Sequence, residues 1–530
     1  MKQGGDLLVN NLLLVNAHGE HQEMRDFCSN ITIYEQIDEP FLSGRCTIVD
    51  GQDFLKNFRI TGQESLTLKL LTPDNDGEFS NSGYSAGGIF GSIDKTFRIY
   101  AVSDANRDNS ANQLTQSYVL HFIDPMWFEC QAKRISQVFH GSYSGILQKI
   151  LLEHAGFKYL PSCNFKTNTG EIEYLEESSP NNNQFISPNW NINKLIKFCT
   201  QKADVENNTT WKNSMFFYQT LAGKYRFESF QRMTTEPTHL KTFVYTGIPD
   251  IDYSEIDDIN LTYGEDTHDK YPLGQNIPIL SVSSPQRVNH MTGVTGGAYA
   301  SKMQTYDPVR KVHEETIYSI KEVFARGSEG HTSTELPVFD NGEPLQIYRL
   351  ENAHADYEEP VITQYINHLA PSKSYDDVIY HRVNMTNSFS DEDKLIDASG
   401  NKTIQQQRGQ EYRDSSDMER AALLNLLKQN VTRFEIPFRT DLSVGRIGKF
   451  VLPVPEPGET PTLNMLQDER YLLSKIVYNI NPQKNTGTLV MHGVKDSLGM
   501  KIEEFKPLEV PPAEEVEKGE VEVVNPRGSA

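Results

Sequence analysis

No stretch of the 530-residue chain approaches the ~20 consecutive apolar residues of a membrane-spanning helix. The apolar run Leu12 to Val15 is too short for the core of a secretion signal, and Met1-Lys2-Gln3-Gly4-Gly5-Asp6 before it carries one Lys and one acid. Basic residues are scarce beside acidic ones, 50 against 72, which leaves a formal net charge of −22. A nucleic-acid grip needs a basic face that displaces counterions from phosphates, so this balance excludes it as a main function. The five cysteines, Cys28, Cys46, Cys130, Cys163 and Cys199, are odd in number and contain no Cys-x-x-Cys pair. That argues against a disulfide framework or a zinc site and for reduced thiols in a cytosol. The chain reads as soluble, with no membrane span.

What is present is enough apolar material for several cores. Hydrophobic residues are 37% and aromatics 10% of a length that suggests three or four domains. The first part alternates with period two: Ser29 to Asp38, Gly44 to Asp50, Glu64 to Leu71, Thr96 to Val102 and Ser117 to Ile123. Turn residues such as Asp38-Glu-Pro40, Asp50-Gly51 and Thr61-Gly62 separate the first of these runs. Short strands at this spacing predict a small barrel or sandwich.

Near residue 141 the period changes. Ile146, Leu147, Ile150 and Leu151 predict a helix, with Ser142 or Ser144 at its start and Gly156 at its end. A second helix follows Pro188-Asn-Trp190, with Ile192, Leu195, Ile196, Cys199 and Ala203 on one face. Met215 to Gln219 and Lys224 to Phe230, joined by Ala222-Gly223, predict a hairpin. Residues 246–404 are strand-rich and weakly punctuated. A helix is predicted over 415–429, with Ser416 and Glu419 spaced as a capping box. Four strands follow: Thr432 to Phe438, Arg446 to Leu452, Tyr471 to Tyr478 and Thr486 to Val494. From about 503 the chain is Glu, Val and Pro, the composition of a solvated tail. No internal repeat is visible by residue identity.

The chemistry-bearing motifs resolve into bland readings. Gly83-Tyr84-Ser85-Ala86-Gly87 matches a nucleophile elbow in letters, but that motif needs a strand before it and a helix after it. Here the surroundings are a Ser/Asn/Gly-rich loop and a following strand. His18-Gly-Glu-His21 lacks the i, i+4 helical spacing of a zinc-binding pair. The acidic run Asp250 to Asp258 has no calcium-loop hinge or ligand spacing. Glu171 with Glu173, or Glu176 with Glu177, would act as a glycosidase pair only at a separation that sequence does not supply. Gly87-Gly88 to Gly91 has no Lys-Ser/Thr for a phosphate loop. Trp127, Trp190 and Trp211 read as core. No catalytic, metal or cofactor-binding residue is assigned, no cofactor is expected, and the chain is read as a structural protein.

Ile31-Thr-Ile-Tyr-Glu-Gln-Ile-Asp-Glu-Pro-Phe-Leu-Ser-Gly-Arg-Cys-Thr-Ile-Val-Asp, then Asn57-Phe-Arg-Ile-Thr-Gly-Gln-Glu, resembles the opening of the central baseplate hub protein of contractile-tailed bacteriophages. Three later segments follow in the same order. They are Pro188-Asn-Trp190 with its helix and the aromatic hairpin, Gly297 to Arg310, and Asp441-Leu-Ser-Val-Gly-Arg-Ile-Gly with the Tyr471 strand and Val494-Lys-Asp-Ser497. The resemblance spans about residues 25–500. It implies a β-rich α+β fold with two small, tail-tube-like β-barrel domains, peripheral α+β domains and a homotrimeric ring. The N-terminal barrel would be 1–135, the α+β unit 136–245, the second barrel 246–285 with 405–500, the inserted domain 286–404 and the acidic tail 501–530.

It further implies a hub that joins a sixfold tail tube to a threefold central spike. The partners would be the spike protein, tube or tube-initiator proteins and other baseplate proteins, with DNA passing through unbound. The place would be the virion baseplate, after assembly in the host bacterial cytoplasm. A second reading is the related hub of a bacterial contractile secretion machine (type VI). Those spike proteins usually continue into a β-helix or an effector, whereas an acidic tail ends this sequence. A third reading is a tail-associated cell-wall hydrolase.

Overall fold

In the computed structural model of the chain, the described residues are 7–72, 92–108, 115–159, 171–178, 183–205, 211, 213–235, 241–245, 276–286, 296–298, 300–307, 312–320, 323, 332, 380–385, 395–396, 402–403, 410–440, 442–453 and 466–496. The period-two segments at the start form seven strands: β1 (Leu8–Val15), β2 (His21–Glu23), β3 (Cys28–Gln36), β4 (Ser43–Asp50), β5 (Ser65–Leu71), β6 (Ser92–Asp108) and β7 (Thr115–Ile123). Alternation sets their faces. Tyr118, Leu120 and Phe122 of β7 and Leu66, Leu68 and Leu70 of β5 are all buried, while the residues between them are only partly so. Hydrogen bonding orders the strands β2-β1-β5-β6-β7-β4-β3.

Seven more strands come from later in the chain: β8 (Lys241–Tyr245), β9 (Asn276–Ile279), β10 (Ser281–Gln286), β11 (Val431–Pro437), β12 (Ile447–Pro453), β13 (Leu466–Asn481) and β14 (Thr486–Val494). Their order is β9-β8-β12-β13-β14-β11-β10. Adding seven to each strand of the first set reproduces the second. One direction differs: β1 is antiparallel to β2 and β5, whereas β8 is parallel to β9 and β12. Lys241–Tyr245, placed by the sequence at the end of the α+β unit, pairs instead with β12 in this second set.

The two sets are one sheet of fourteen strands, because β13 also pairs antiparallel with β3, from Lys475↔Gln36 to Ile480↔Ile31. One hydrophobic core runs under both sets, from Val9, Ile33 and Phe122 to Phe434, Tyr478 and Met491. The protein is therefore β-rich, with a large, mainly antiparallel sheet.

A second core belongs to the α+β unit. A four-stranded sheet (Lys158–Tyr159, Glu171–Leu175, Lys224–Ser229 and Met215–Gln219) accompanies helices Pro125–Ala132, Tyr143–Lys149 and Ile192–Lys202. The caps follow sequence chemistry. Asp124 precedes Pro125 and accepts from Met126 N, Ser142 accepts from Gly145 N, and Asn191 accepts from Lys194 N. Gly156 ends the second of these helices, after a π-helical turn, at φ +82°. The hairpin turns at Gly223, φ +82°.

The helix predicted over 415–429 runs Gln410–Gln429, so Ser416 lies inside it rather than at its start. The residues before Ser416, Gln410-Glu-Tyr-Arg-Asp, contain no Pro or Gly to stop a helix from extending towards the N-terminus. Within 246–404, a three-stranded sheet of Ala300–Asp307, Val312–Ser319 and Tyr380–Met385 stands apart from the large sheet.

Candidate functional site

Among the described residues, the motifs that carried letters of catalysis do not gather. Residues 83–91, with the Gly83–Gly87 match, and Asp250 to Asp258 lie outside the described residues. His18 and His21 sit exposed at the β1–β2 turn, which Asn16 organises. Its Oδ1 accepts from His18 N and Glu20 N, and its Nδ2 donates to Glu20 Oε2 at 2.7 Å. Each candidate carboxylate in the α+β sheet serves a neighbour, except the exposed Glu177. Glu173 pairs with Arg226 at 2.8 Å, Glu171 with Lys224 at 3.9 Å, and Glu176 accepts from Ser229 N and Oγ. Trp211 is fully buried, and Trp190 lies under the Lys194 ammonium at 4.3 Å.

Four cysteines, Cys28, Cys46, Cys130 and Cys199, are buried free thiols. Burial pushes Cys199 up to about 12, and burial with the neighbouring Asp124 charge does the same to Cys130. Thiolate is the reactive form, so Cys130 and Cys199 are chemically silent in the folded protein. A thiol reagent at pH 8 is expected to leave all four unlabelled until denaturant is added. Rapid labelling of Cys130 or Cys199 in the native chain, located by peptide mass, would contradict the packing.

The residues the sequence reading passed over stand where the two strand sets and the α+β unit meet. β3 carries Ile31, Ile33 and Glu35 on one face, all buried, although Thr32 on the other face is buried as well. Glu35 is fully buried, so a carboxylate occupies a position that the pattern reserves for an apolar side chain. Its Oε2 accepts from Tyr478 OH at 2.7 Å (β13) and from Leu221 N at 3.1 Å, in the hairpin of the α+β unit. Its Oε1 accepts from Val444 N at 3.0 Å, ahead of β12. Three elements far apart in sequence thus converge on one side chain. Burial raises its pKa to about 7, against the pull of these donors and of Lys95.

Two further buried carboxylates flank it. Asp124 accepts from Lys95 Nζ at 2.8 Å, Gln219 Nε2 at 2.7 Å and Tyr225 OH at 3.2 Å. Burial opposes its charge, but the Lys95 ammonium and the hydrogen bonds hold its pKa below the ordinary value. Gln219 also accepts from Leu42 N, tying the hairpin to the β3–β4 turn. Glu228 binds Tyr218 OH and faces Arg446 at 3.3 Å. The sequence did carry a signal for the first of these residues: Ile31, Ile33 and Ile37 set a register in which Glu35 is the lone polar member.

At the seam itself Ile37 N donates to Ser474 O at 3.0 Å, and Lys475 Nζ lies 5.2 Å from the Tyr34 ring. At the far end of the second set, buried Asp496 accepts from Thr332 N and Oγ1 and from Trp211 Nε1. Such fully engaged carboxylates fix the relative placement of elements; their protons and lone pairs are committed to the fold.

No family model matches the sequence, and no curated protein matches it. Solved structures do resemble the fold. The 43 kDa tail protein of prophage MuSo2 from Shewanella oneidensis aligns at TM-score 0.41 and 9% identity, over 92% of this chain and 98% of that one. A tail protein from Neisseria meningitidis MC58 aligns at TM-score 0.40 and 7% identity, over 92% and 96%. An E. coli protein described as a component of the type VI secretion system aligns at TM-score 0.35 and 6% identity, over 92% and 76%. The structural neighbours are thus phage tail proteins and type VI secretion proteins.

Proposed function

We propose that the chain is a non-enzymatic tail hub, a homotrimer whose six strand sets form a ring between a sixfold tube and a threefold spike. The observation that carries this reading is the repeated strand order, β1–β7 and β8–β14, in one polypeptide. Two like modules per chain, related by a rotation of about 60°, let three chains present sixfold symmetry on one face and threefold symmetry on the other.

The ends of each set support barrel closure. Residues 21–36 give β2 to β1 at one end of the order and β3 to β4 at the other, and Met24 N donates to Leu12 O between them. Residues 276–286 repeat the device: β9 pairs with β8, β10 with β11, and Leu280 N donates to Glu435 O. A segment whose two strands pair with opposite ends of a sheet order brings those ends together, as closure of a small barrel requires.

In this reading the α+β unit and the 286–404 insertion lie outside the ring. Spike, tube and other baseplate proteins bind its two faces in the virion. The acidic balance, if it extends to the lumen, lets DNA slide past without binding. Light scattering on the purified chain, alone and with its spike partner, tests the ring. The expected mass is three times the 60.2 kDa chain, either for the chain alone or, with the spike's own mass added, for the complex. A monomer in both conditions would end the proposal.

A further inference from the structure

We propose that neighbouring protomers join through an antiparallel pairing of the outer half of β6 with the free edge of β10, in the register Ser103↔Gln286, Asn106↔Ser283 and Arg107↔Val282. This inference rests on the ring reading above and names its contact.

The template is inside the chain. Leu472 of β13 pairs with both Ile447 of β12 and Val494 of β14. Beyond it β12 stops, the register shifts between Leu473 and Lys475, and β3 takes the vacated edge over Lys475–Ile480. β6 repeats each step. Arg98 pairs with both Ser65 of β5 and Ile123 of β7, β5 stops there, and the register shifts between Ile99 and Ala101. Ile99 N still donates to Glu64 O at 2.8 Å, but from Ala101 onward no backbone partner among the described residues takes the edge that β5 vacates. The counterpart of β3 in the second set is β10, which pairs with β11 alone among the described strands.

Both open edges are exposed. Tyr100, the bulged residue equivalent to Ser474, is 49% exposed, and Leu280 at the start of β10 is 53% exposed. Ser281, Ser283, Ser284 and Pro285 are exposed, and β10 carries no charged residue. An edge strand without charge is open to pairing, its one Pro aside, and a ring removes that hazard by giving every edge a partner.

The register follows from shared partners. Ser43 pairs with Ile123 and Tyr34, and Val431 pairs with Val494 and Gln286, so Gln286 stands where Tyr34 stands. By the same steps Ser283 stands for Thr32, Ser103 for Val477 and Asn106 for Asn479. Tyr34 faces Val477 and Thr32 faces Asn479 at the internal seam.

One departure from the template strengthens the match. β6 holds two residues, Asp104 and Ala105, where β13 holds Tyr478 alone, and its register shifts there. β10 holds Ser284 and Pro285 where β3 holds Ile33 alone, with its own shift at the same place. The extra residues face each other, so the pairing stays in step across them. A contact between unrelated edges would have no cause to match an insertion on one strand with an insertion on the other.

The experiment is a cysteine pair, Asn106→Cys with Ser283→Cys, in the full-length chain. Directly opposed residues of antiparallel strands lie within the Cα spacing a disulfide accepts. Under mild oxidation most of the double variant is expected to run as disulfide-linked dimer and trimer on a non-reducing gel. The ladder collapses with reductant and is absent from either single variant. The inference is overturned if the double variant keeps a trimer's mass in solution but gives no ladder, and if Arg107→Cys with Val282→Cys gives none either. A wild-type monomer, alone and with the spike, overturns the ring reading and this contact with it.

Discussion

Glu35→Ala is expected to destabilise the protein by roughly 2–6 kcal/mol at pH 5, because two buried backbone donors lose their acceptor at about 1–3 kcal/mol each. The substitution strands Leu221 N and Val444 N and leaves Tyr478 OH with Leu442 O alone, at the convergence of three elements. The loss depends on pH in a way that identifies its cause. In its neutral form Glu35 is fully satisfied. Its protonated Oε2 donates to Tyr478 Oη, the Tyr478 hydroxyl donates to Leu442 O at 3.1 Å, and both carboxyl oxygens still accept from the two backbone N–H groups.

Burial raises the Glu35 pKa from 4.5 to about 7, so between those values the folded state keeps a proton that the unfolded chain has released. The stabilisation is complete below about pH 4.5 and is lost as pH rises through 7, by roughly 3 kcal/mol in all. The cost of Glu35→Ala is therefore largest near pH 5 and shrinks towards pH 8. Asp124 contributes with the opposite sign, because its lowered pKa gives stability that is lost as pH falls through the acid range. Thermal unfolding of wild type and variant at pH 5, 6, 7 and 8 measures the difference directly. A gap between the two midpoints that does not change with pH would show that Glu35 is ionised throughout.

The individual strands were legible because a half-buried strand writes its own alternation. Ser117-Tyr-Val-Leu-His-Phe-Ile needs no neighbour to be read. The caps and the Gly223 turn were legible for the same local reason. β1 was not, because Leu12-Leu-Leu-Val blurs the alternation that a bulge between Val9 and Asn11 has already disturbed. Nor was the membership of β8, whose partners lie far along the chain in β9 and β12.

The repeat escaped for a deeper reason. A sheet constrains which positions are apolar and where strands end, not which residues fill them. Tyr34 and Gln286 occupy one position in the two sets, and so do Thr32 and Ser283. Identity therefore decays while strand order persists. Pairing such as β3 with β13 is long-range information that no local window contains. The polar joint was half legible. Glu35 breaks the register of Ile31, Ile33 and Ile37, but the residues that satisfy it come from three separate parts of the chain.

Gly445→Ala is the second large effect, and it tests the joint from the opposite side. Gly445 stands in the segment Asp441 to Gly448 at φ +72°, the left-handed region where an L side chain costs about 1–2 kcal/mol. A Cβ there would also overlap the hydroxyl of Tyr218, with Glu228 Oε1 3.3 Å away. That Tyr218 hydroxyl cannot yield freely, because it binds Glu228, and Glu228 in turn faces Arg446 Nη1 at 3.3 Å. Overpacking at such a site costs a further ~1–3 kcal/mol.

The two terms act together, so a loss of roughly 2–5 kcal/mol is expected, enough to loosen β12 from the hairpin of the α+β unit. Tyr218→Phe removes the clashing hydroxyl but leaves the backbone strain. Combined with Gly445→Ala it is expected to recover about 1 kcal/mol or more of the loss, a coupling that a thermal-unfolding double-mutant cycle reads. Additive effects of the two substitutions would mean that the glycine is required for its backbone conformation alone. Close approach of the second strand set to the α+β unit would then have to rest on Glu35 and its three donors.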